Sequence, residues 1–236
     1  YRGSSVISAT NPIFGKWHSP DPVLPKFTTT TKTNALYIED AWKWNDHWLL
    51  LAGLRRDFLS FSRRELQTGV VFSSNLTGTS GRLGLTYHLI PNTSIYALFS
   101  MGSDPITSPL TMNQSNANFR LTTGKQTEFG IKQNLGNGSG EWSAALFRIK
   151  KDDIITRDPN DPTISIQGGS MHSQGVELTA AFALNKNIRI EGNYTHLISR
   201  FDELNESVGG RSVSRAGNRP SNVPLKTGSL WGHYQK

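Results

Sequence analysis

TGTSGRLGLTYHL, residues 77–89, alternates with a period of two. Leu83, Leu85, Tyr87 and Leu89 fall on one face, and Arg82, Gly84, Thr86 and His88 on the other, which is how a β-strand distributes side chains. Pro91-Asn92-Thr93 then makes a tight turn, and Ser94–Ser103 returns. Upstream, Asn34–Trp44 and Trp48–Ser62 are rich in aliphatic and aromatic residues and flank the turn Asn45-Asp46-His47. Downstream, Thr122–Leu135 sets Phe129 and Ile131 against Glu128, Gly130 and Lys132. The turn Gly136–Gly140 leads into Glu141–Arg157. Ser173–Leu184 sets Val176, Leu178, Ala180 and Phe182 against Gly175, Glu177 and Thr179. After Asn185-Lys186-Asn187, Ile188–Phe201 alternates again, and Pro224–Tyr234 reads as a last strand. Helix signals are nearly absent, and the count comes to about nine strands.

Composition narrows what such a chain can be. Of 236 residues, 36% are hydrophobic, 18% charged and 10% aromatic, so wholesale disorder is excluded. No stretch approaches the ~20 apolar residues of a spanning helix. The absence of cysteine excludes disulfides, zinc ribbons, iron–sulfur sites and thiol nucleophiles. The formal net charge is +7, but the basic residues are spread. The tightest clusters are only Arg55-Arg56, Arg63-Arg64 and Lys150-Lys151, and no nucleic-acid motif accompanies them, so no nucleic-acid partner is expected. The chain starts at Tyr1 without Met or a signal peptide, which sets the expectation that maturation or truncation removed the start.

The connections are unequal in a regular way. Short turns at 45–47, 90–93, 136–140 and 185–187 alternate with long polar connections at 63–76, 104–121, 158–172 and 202–223. An up-and-down barrel in an outer membrane has short turns on one side and long loops on the other, whereas Greek-key connections would break the order. The strands run to roughly ten to fifteen residues, longer than the globular mode of ~5–6. An apolar face toward lipid and a polar face toward a lumen fit the alternation. Trp42, Trp44, Trp48, Tyr87, Trp142, Trp231 and Tyr234, near strand ends, fit interfacial girdles. A soluble sandwich with one wet face shares the alternation but not the strand length or the ordered connections.

Several segments resemble one family. Gly53, Arg55 and Asp57 match a G-x-R-x-D strand of the TonB-dependent outer-membrane receptors. Arg82–Tyr87, Pro91 and Ser94–Ala97 resemble their R-x-G-L-x-Y…P…S-x-Y-A hairpin. Glu128-Phe129-Gly130-Ile131-Lys132 resembles E-x-G-x-K, and Gln174–Leu178 resembles R-G-V-E-L with Gln174 in the place of Arg. Asn218-Arg219-Pro220, Asn222-Val223-Pro224, Ser229-Leu230-Trp231 and Tyr234 resemble the N-x-P…N-V-P…S-L-W-x-x-Y segment. Asn11-Pro12-Ile13-Phe14-Gly15 is similar to the N-P-x-Y-G loop of siderophore-type members. The motifs stand in family order over residues 11–234, and the nearest group is the ferric-siderophore receptors.

The resemblance implies an all-β fold: an antiparallel up-and-down transmembrane β-barrel of 22 strands plugged by an N-terminal domain. Residues 1–236 are then expected to form a partial barrel domain, an incomplete slice of about nine strands with the plug and closing strands absent. It implies uptake of a ferric siderophore, energised by the TonB complex through the missing plug region, in a bacterial outer membrane among lipopolysaccharide and lipid. No cofactor is implied, because iron arrives only inside the siderophore chelate. A haem, cobalamin or other metal-chelate receptor of the same family, a passive porin slice and a soluble β-rich ligand- or carbohydrate-binding protein are the alternatives.

An enzyme is not supported. No G-x-S-x-G elbow, H-E-x-x-H or Walker motif occurs. Gly136–Gly140 joins two strands with no helix behind it, so it reads as a turn. Asp158-Pro159-Asn160-Asp161 reads as a solvated loop rather than a calcium site, and the six His have no ligand spacing. Binding by loops fits better. A bulky, partly apolar, often anionic chelate suits aromatic and Arg side chains. The candidates on the long-loop side are Trp17, Phe119, Arg120, Arg157, Arg200, Phe201, Arg211 and Arg215, with His18 and His172 nearby. Arg157, Arg200 and Phe201 end rising strands and are expected at the lumen mouth. Glu128, Lys132, Glu177, Arg189 and Glu191 are expected to face the lumen in structural charge pairs.

Overall fold

The computed structural model describes residues 10, 27–104, 119–136, 138–161 and 165–236. Its strands are β1 (Phe27–Lys43), β2 (Trp48–Glu65), β3 (Val71–Ile90), β4 (Thr93–Ser103), β5 (Thr123–Asn134), β6 (Gly140–Arg157), β7 (Ser165–Ala183), β8 (Ile188–Glu203), β9 (Asn205–Val208), β10 (Arg211–Ser214) and β11 (Lys226–Tyr234). Nine of them form one sheet in the order β1-β2-β3-β4-β5-β6-β7-β8-β11, and β9 and β10 form a separate hairpin. Every pairing is antiparallel, so the sheet is a meander.

The short turns close through local side-chain chemistry. Asn45 Oδ1 accepts from the backbone N–H groups of His47 (2.9 Å) and Trp48 (3.0 Å). Asn185 does the same for Asn187 and Ile188, both at 2.9 Å. A short amide thus stands in for a backbone turn at two corners on the same side of the sheet.

Register sorts the two faces. Leu85 pairs with Leu50 and Ala97, Phe129 with Ala97 and Leu146, and Leu178 with Ala144 and Tyr194. These residues make a continuous apolar outer face, with Phe129, Leu146 and Leu178 all exposed. Leu49, Thr86, Tyr96, Glu128, Lys132 and Glu191 line a concave inner cleft of about 1090 Å³. The expected inward charges are there, but of the five only Arg189 and Glu191 form an ion pair with each other. Tyr96 donates to Glu128 (2.6 Å), the Lys132 ammonium lies 5.3 Å from the Tyr96 ring, and Glu191 meets His233 (3.0 Å) and Arg189 (3.6 Å). Glu177 pairs with Ala145 and Thr195 on the same face.

Two inner glycines make room for side chains that cross a strand. Arg82 on β3 and Glu39 on β1 form an ion pair over Gly53 of the intervening β2. A Cβ on Gly53 would sit 3.0 Å from the Glu39 carboxylate. The Tyr96 ring likewise lies over Gly130, where any Cβ would overlap it.

The sheet is taller than the sequence suggests. The expected connection at 63–76 is mostly strand: β2 runs to Glu65 and β3 starts at Val71, leaving 66–70 as the turn. The alternation continues there with its polarity reversed. Leu59, Phe61 and Leu76 point inward and are buried, while Ser60, Ser62 and Asn75 point outward. The expected connection at 158–172 shrinks because β7 begins at Ser165, and the one at 202–223 carries the β9–β10 hairpin. Trp231 is a second correction. It pairs with Glu191 and faces the cleft, whereas Trp42, Trp48, Tyr87 and Tyr234 stay on the outer face near the short turns.

Candidate functional site

At the long-loop end, residues 119–122, just before β5, pack inward against the top of β2 and β3. Leu59, Phe61, Leu76 and Leu121 are the buried apolar cluster, with Phe72 and Phe119 packed against it. Phe61 and Phe72 meet edge-on, ring centroids 5.8 Å apart. The Arg63 guanidinium caps the cluster, 5.4 Å from the Phe61 ring and 5.2 Å from Phe27. The alternation of Phe119, Arg120 and Leu121 explains the seating: the apolar residues turn into the cluster and Arg120 stays exposed.

The other side of this segment is held by polar contacts. Thr122 donates to the carbonyl of Asp153 (3.1 Å), and Asp104 N–H donates to the carbonyl of Thr122 (2.8 Å). Gln167 makes both backbone bonds of Arg120: Oε1 accepts from its N–H (2.9 Å) and Nε2 donates to its carbonyl (2.7 Å). Nε2 also reaches the carbonyl of Asp153 at 3.0 Å. The Arg120 guanidinium stands 3.6 Å from the Asp153 carboxylate and its side chain is 81% exposed. Paired β-bulges place these groups. Asp152 and Asp153 together oppose Ser170, Gly168 is the unpaired residue on β7, and Asp153 takes φ 59°.

The sequence candidates therefore separate. Phe119 and Arg120 come together in the mouth. Phe201 pairs with Met171 on the inner face, two residues beyond buried Ser199. Arg157 ends β6 opposite Ser165. Arg211 and Arg215 belong to the β9–β10 hairpin region, where Arg215 pairs with Glu206 at 2.9 Å and Arg211 is exposed. Arg200 is a correction. It shares the face of Ile198 and Tyr194, outside the sheet, and donates to the carbonyl of Gly217 at 3.2 Å. Period-two alternation from Tyr194 fixes that side, so strand end alone is a poor guide to the mouth. Trp17, His18 and the motif at 11–15 lie outside the described residues. Sequence reasoning missed Gln167, Asp153, Thr122 and Leu121. The only trace was the alternation Phe119-Arg120-Leu121 and the Gly168-Gly169 pair beside Gln167.

A family model described as TonB dependent receptor-like, beta-barrel, matches residues 1–236. The chain belongs to the TonB-dependent receptor β-barrel family. It is 27% identical over 236 residues to a ferrioxamine B receptor of Salmonella typhimurium, covering 99% of this chain and 32% of that protein. It is 24% identical over 203 residues to the ferrichrome outer membrane transporter/phage receptor of Escherichia coli, covering 86% of this chain and 26% of that one. Among solved structures, the siderophore receptor PiuA of Acinetobacter baumannii superposes with a TM-score of 0.78 at 24% identity, over 88% of this chain and 32% of that chain. The chain thus spans about a quarter to a third of the length of these relatives. The nine-stranded sheet is part of an outer-membrane receptor barrel, its outer face toward lipid and its concave face toward the lumen. The short turns are its periplasmic side and the long connections its extracellular side.

Proposed function

We propose that this receptor barrel takes part in TonB-dependent uptake of a ferric siderophore, as a transporter and not an enzyme. The observation that carries this reading is the segment Phe119–Thr122. It folds into the extracellular mouth and presents an exposed Arg beside aromatic side chains. An oxygen-rich iron chelate fits such a surface through ring contact and charge-assisted hydrogen bonds. Iron is substrate, held by its own chelator, and asks for no protein ligand. The named relatives are receptors for ferrioxamine B and ferrichrome, which favours a hydroxamate chelate. Energy from TonB is assigned to a plug region, as in the family.

The outer face also favours contact with lipopolysaccharide. Lys125, Lys150, His172 and Arg200 are successive cross-strand partners on one outer rung, above the apolar band. Lys125 directly opposes Lys150, a like-charge pairing that the Asp152 carboxylate, 2.9 Å from the Lys150 ammonium, offsets in part. Lipid phosphates would add to it at Lys125 and Arg200.

The test is uptake of radioactive iron as a ferric trihydroxamate by the host, with and without this gene and with TonB inactivated. Uptake that needs both genes is the expected result. Binding and uptake indifferent to this gene would sink the reading.

A further inference from the structure

We infer that Gln167 is a positioning residue for ligand recognition, acting through Arg120. The inference rests on the proposed siderophore function and names the group that shapes its site. A carboxamide carries the same donor and acceptor as a peptide unit. Gln167 uses both on the backbone of Arg120, at 2.9 and 2.7 Å, as a neighbouring strand would. Arg120 lies outside any strand, so without Gln167 no ladder supplies these bonds. The same Nε2 reaches Asp153 O, which also accepts from Thr122, so one carboxamide ties the segment to both β6 and β7. On the opposite side Leu121 is buried in the apolar cluster.

The consequence is selective. Phe119 and Leu121 are held by packing, but the peptide unit that carries Arg120 is held by Gln167. The guanidinium is left with one long contact, to Asp153 at 3.6 Å, and is otherwise exposed. It is a donor group fixed at its base and free at its tip, suited to the oxygen rim of a chelate. The left-handed φ of Asp153 and the paired bulges mark a backbone shaped to make this bridge.

The experiment uses the protein as its host makes it, solubilised from the outer membrane, with a ferric trihydroxamate as probe and tryptophan quenching as readout. Gln167→Met keeps the size and removes both hydrogen-bonding groups. Gln167→Met and Arg120→Gln should each weaken binding about tenfold, and the double variant should be no weaker than either single one. Effects that multiply, or a Gln167→Met affinity within about twofold of wild type, overturn the inference. A second readout needs no ligand. Hydrogen exchange of the Arg120 amide should quicken about tenfold in Gln167→Met while β7 amides hold steady. Unchanged exchange also overturns the inference. If the wild type binds no ferric chelate, the functional reading fails, and the exchange measurement still decides whether Gln167 holds the segment.

Discussion

Below Asp57 and above it, β2 and β3 follow opposite rules. In the lower part Leu50, Leu54, Leu83 and Leu85 face out, and Arg82, Thr86 and His88 face in. In the upper part Leu59, Phe61 and Leu76 face in and are buried, and Ser60, Ser62 and Asn75 face out. The backbone does not change, because the register runs unbroken from Trp48–Tyr87 to Arg64–Val71. What changes is the solvent. Lipid surrounds the lower part and water the upper part, so the side that can bury apolar atoms switches. Asp57, 5% exposed and gripped by Arg55 at 2.7 Å, stands at the changeover.

The contrast can be broken from either half. Phe61→Ala removes the largest side chain of the mouth cluster and should cost about 3–5 kcal/mol of local stability. Hydrogen exchange should quicken at 59–61, 76 and 119–122 and stay slow in the lower strands. Leu83→Arg puts a charge on the outer face midway between Tyr87 and Thr79, where the expected cost is about 2–4 kcal/mol. Ser60→Arg, on the same face higher up, should stay within about 0.5 kcal/mol. Folding from urea into liposomes measures both, and equal costs would erase the distinction between the halves.

Smaller effects sharpen it. Arg82 and Glu39 have side chains 51% and 38% exposed, so solvent screens their ion pair. Arg82→Ala should lower stability by about 0.2–1 kcal/mol, less at high salt. The smallest effect lies in the periplasmic turn, where the Lys43 ammonium, hydrogen-bonded at 3.0 Å, holds the Asp46 carboxyl below its usual range. A depressed carboxyl stabilises the folded form above its ordinary pKa and stops doing so as pH falls through the lowered value. Asp46→Asn should therefore flatten a slight acid-side loss in a pH titration of turn exchange, with no change near neutrality.

The lower half of β3 was legible in the sequence because one medium on each side gives clean alternation there, although on β2 Leu49 and Leu51 also face the cleft. Leu83, Leu85, Tyr87 and Leu89 announce their strand without help. The upper half was legible only in part, since the strand reading stopped at Ser62 and 63–76, with Ser73 and Asn75, read as loop once the apolar phase had flipped. The mouth was half legible. Phe119 and Arg120 lie together at the long-loop end, but Gln167 is remote in sequence and its contacts depend on two bulges that no local pattern marks. Arg200 was misplaced because its side of the sheet depends on counting from Tyr194, not on its distance from a loop.

The crossings over Gly53 and Gly130 bear on how such a wall assembles without error. Sliding one strand by a single residue turns it inside out and is self-defeating. A slide by two keeps every residue on its proper side and would be almost invisible to lipid and lumen. It would, however, carry Leu51 or Arg55 beneath the Glu39–Arg82 pair, and Glu128 or Lys132 beneath the Tyr96 ring. Under the Tyr96 ring only a residue without a side chain fits, whereas at Gly53 a side chain would have to push the Glu39 carboxylate aside and strain its pair with Arg82. The two glycines therefore act as index marks, Gly130 strictly and Gly53 more weakly, against the even-numbered slides that hydrophobicity alone would let pass.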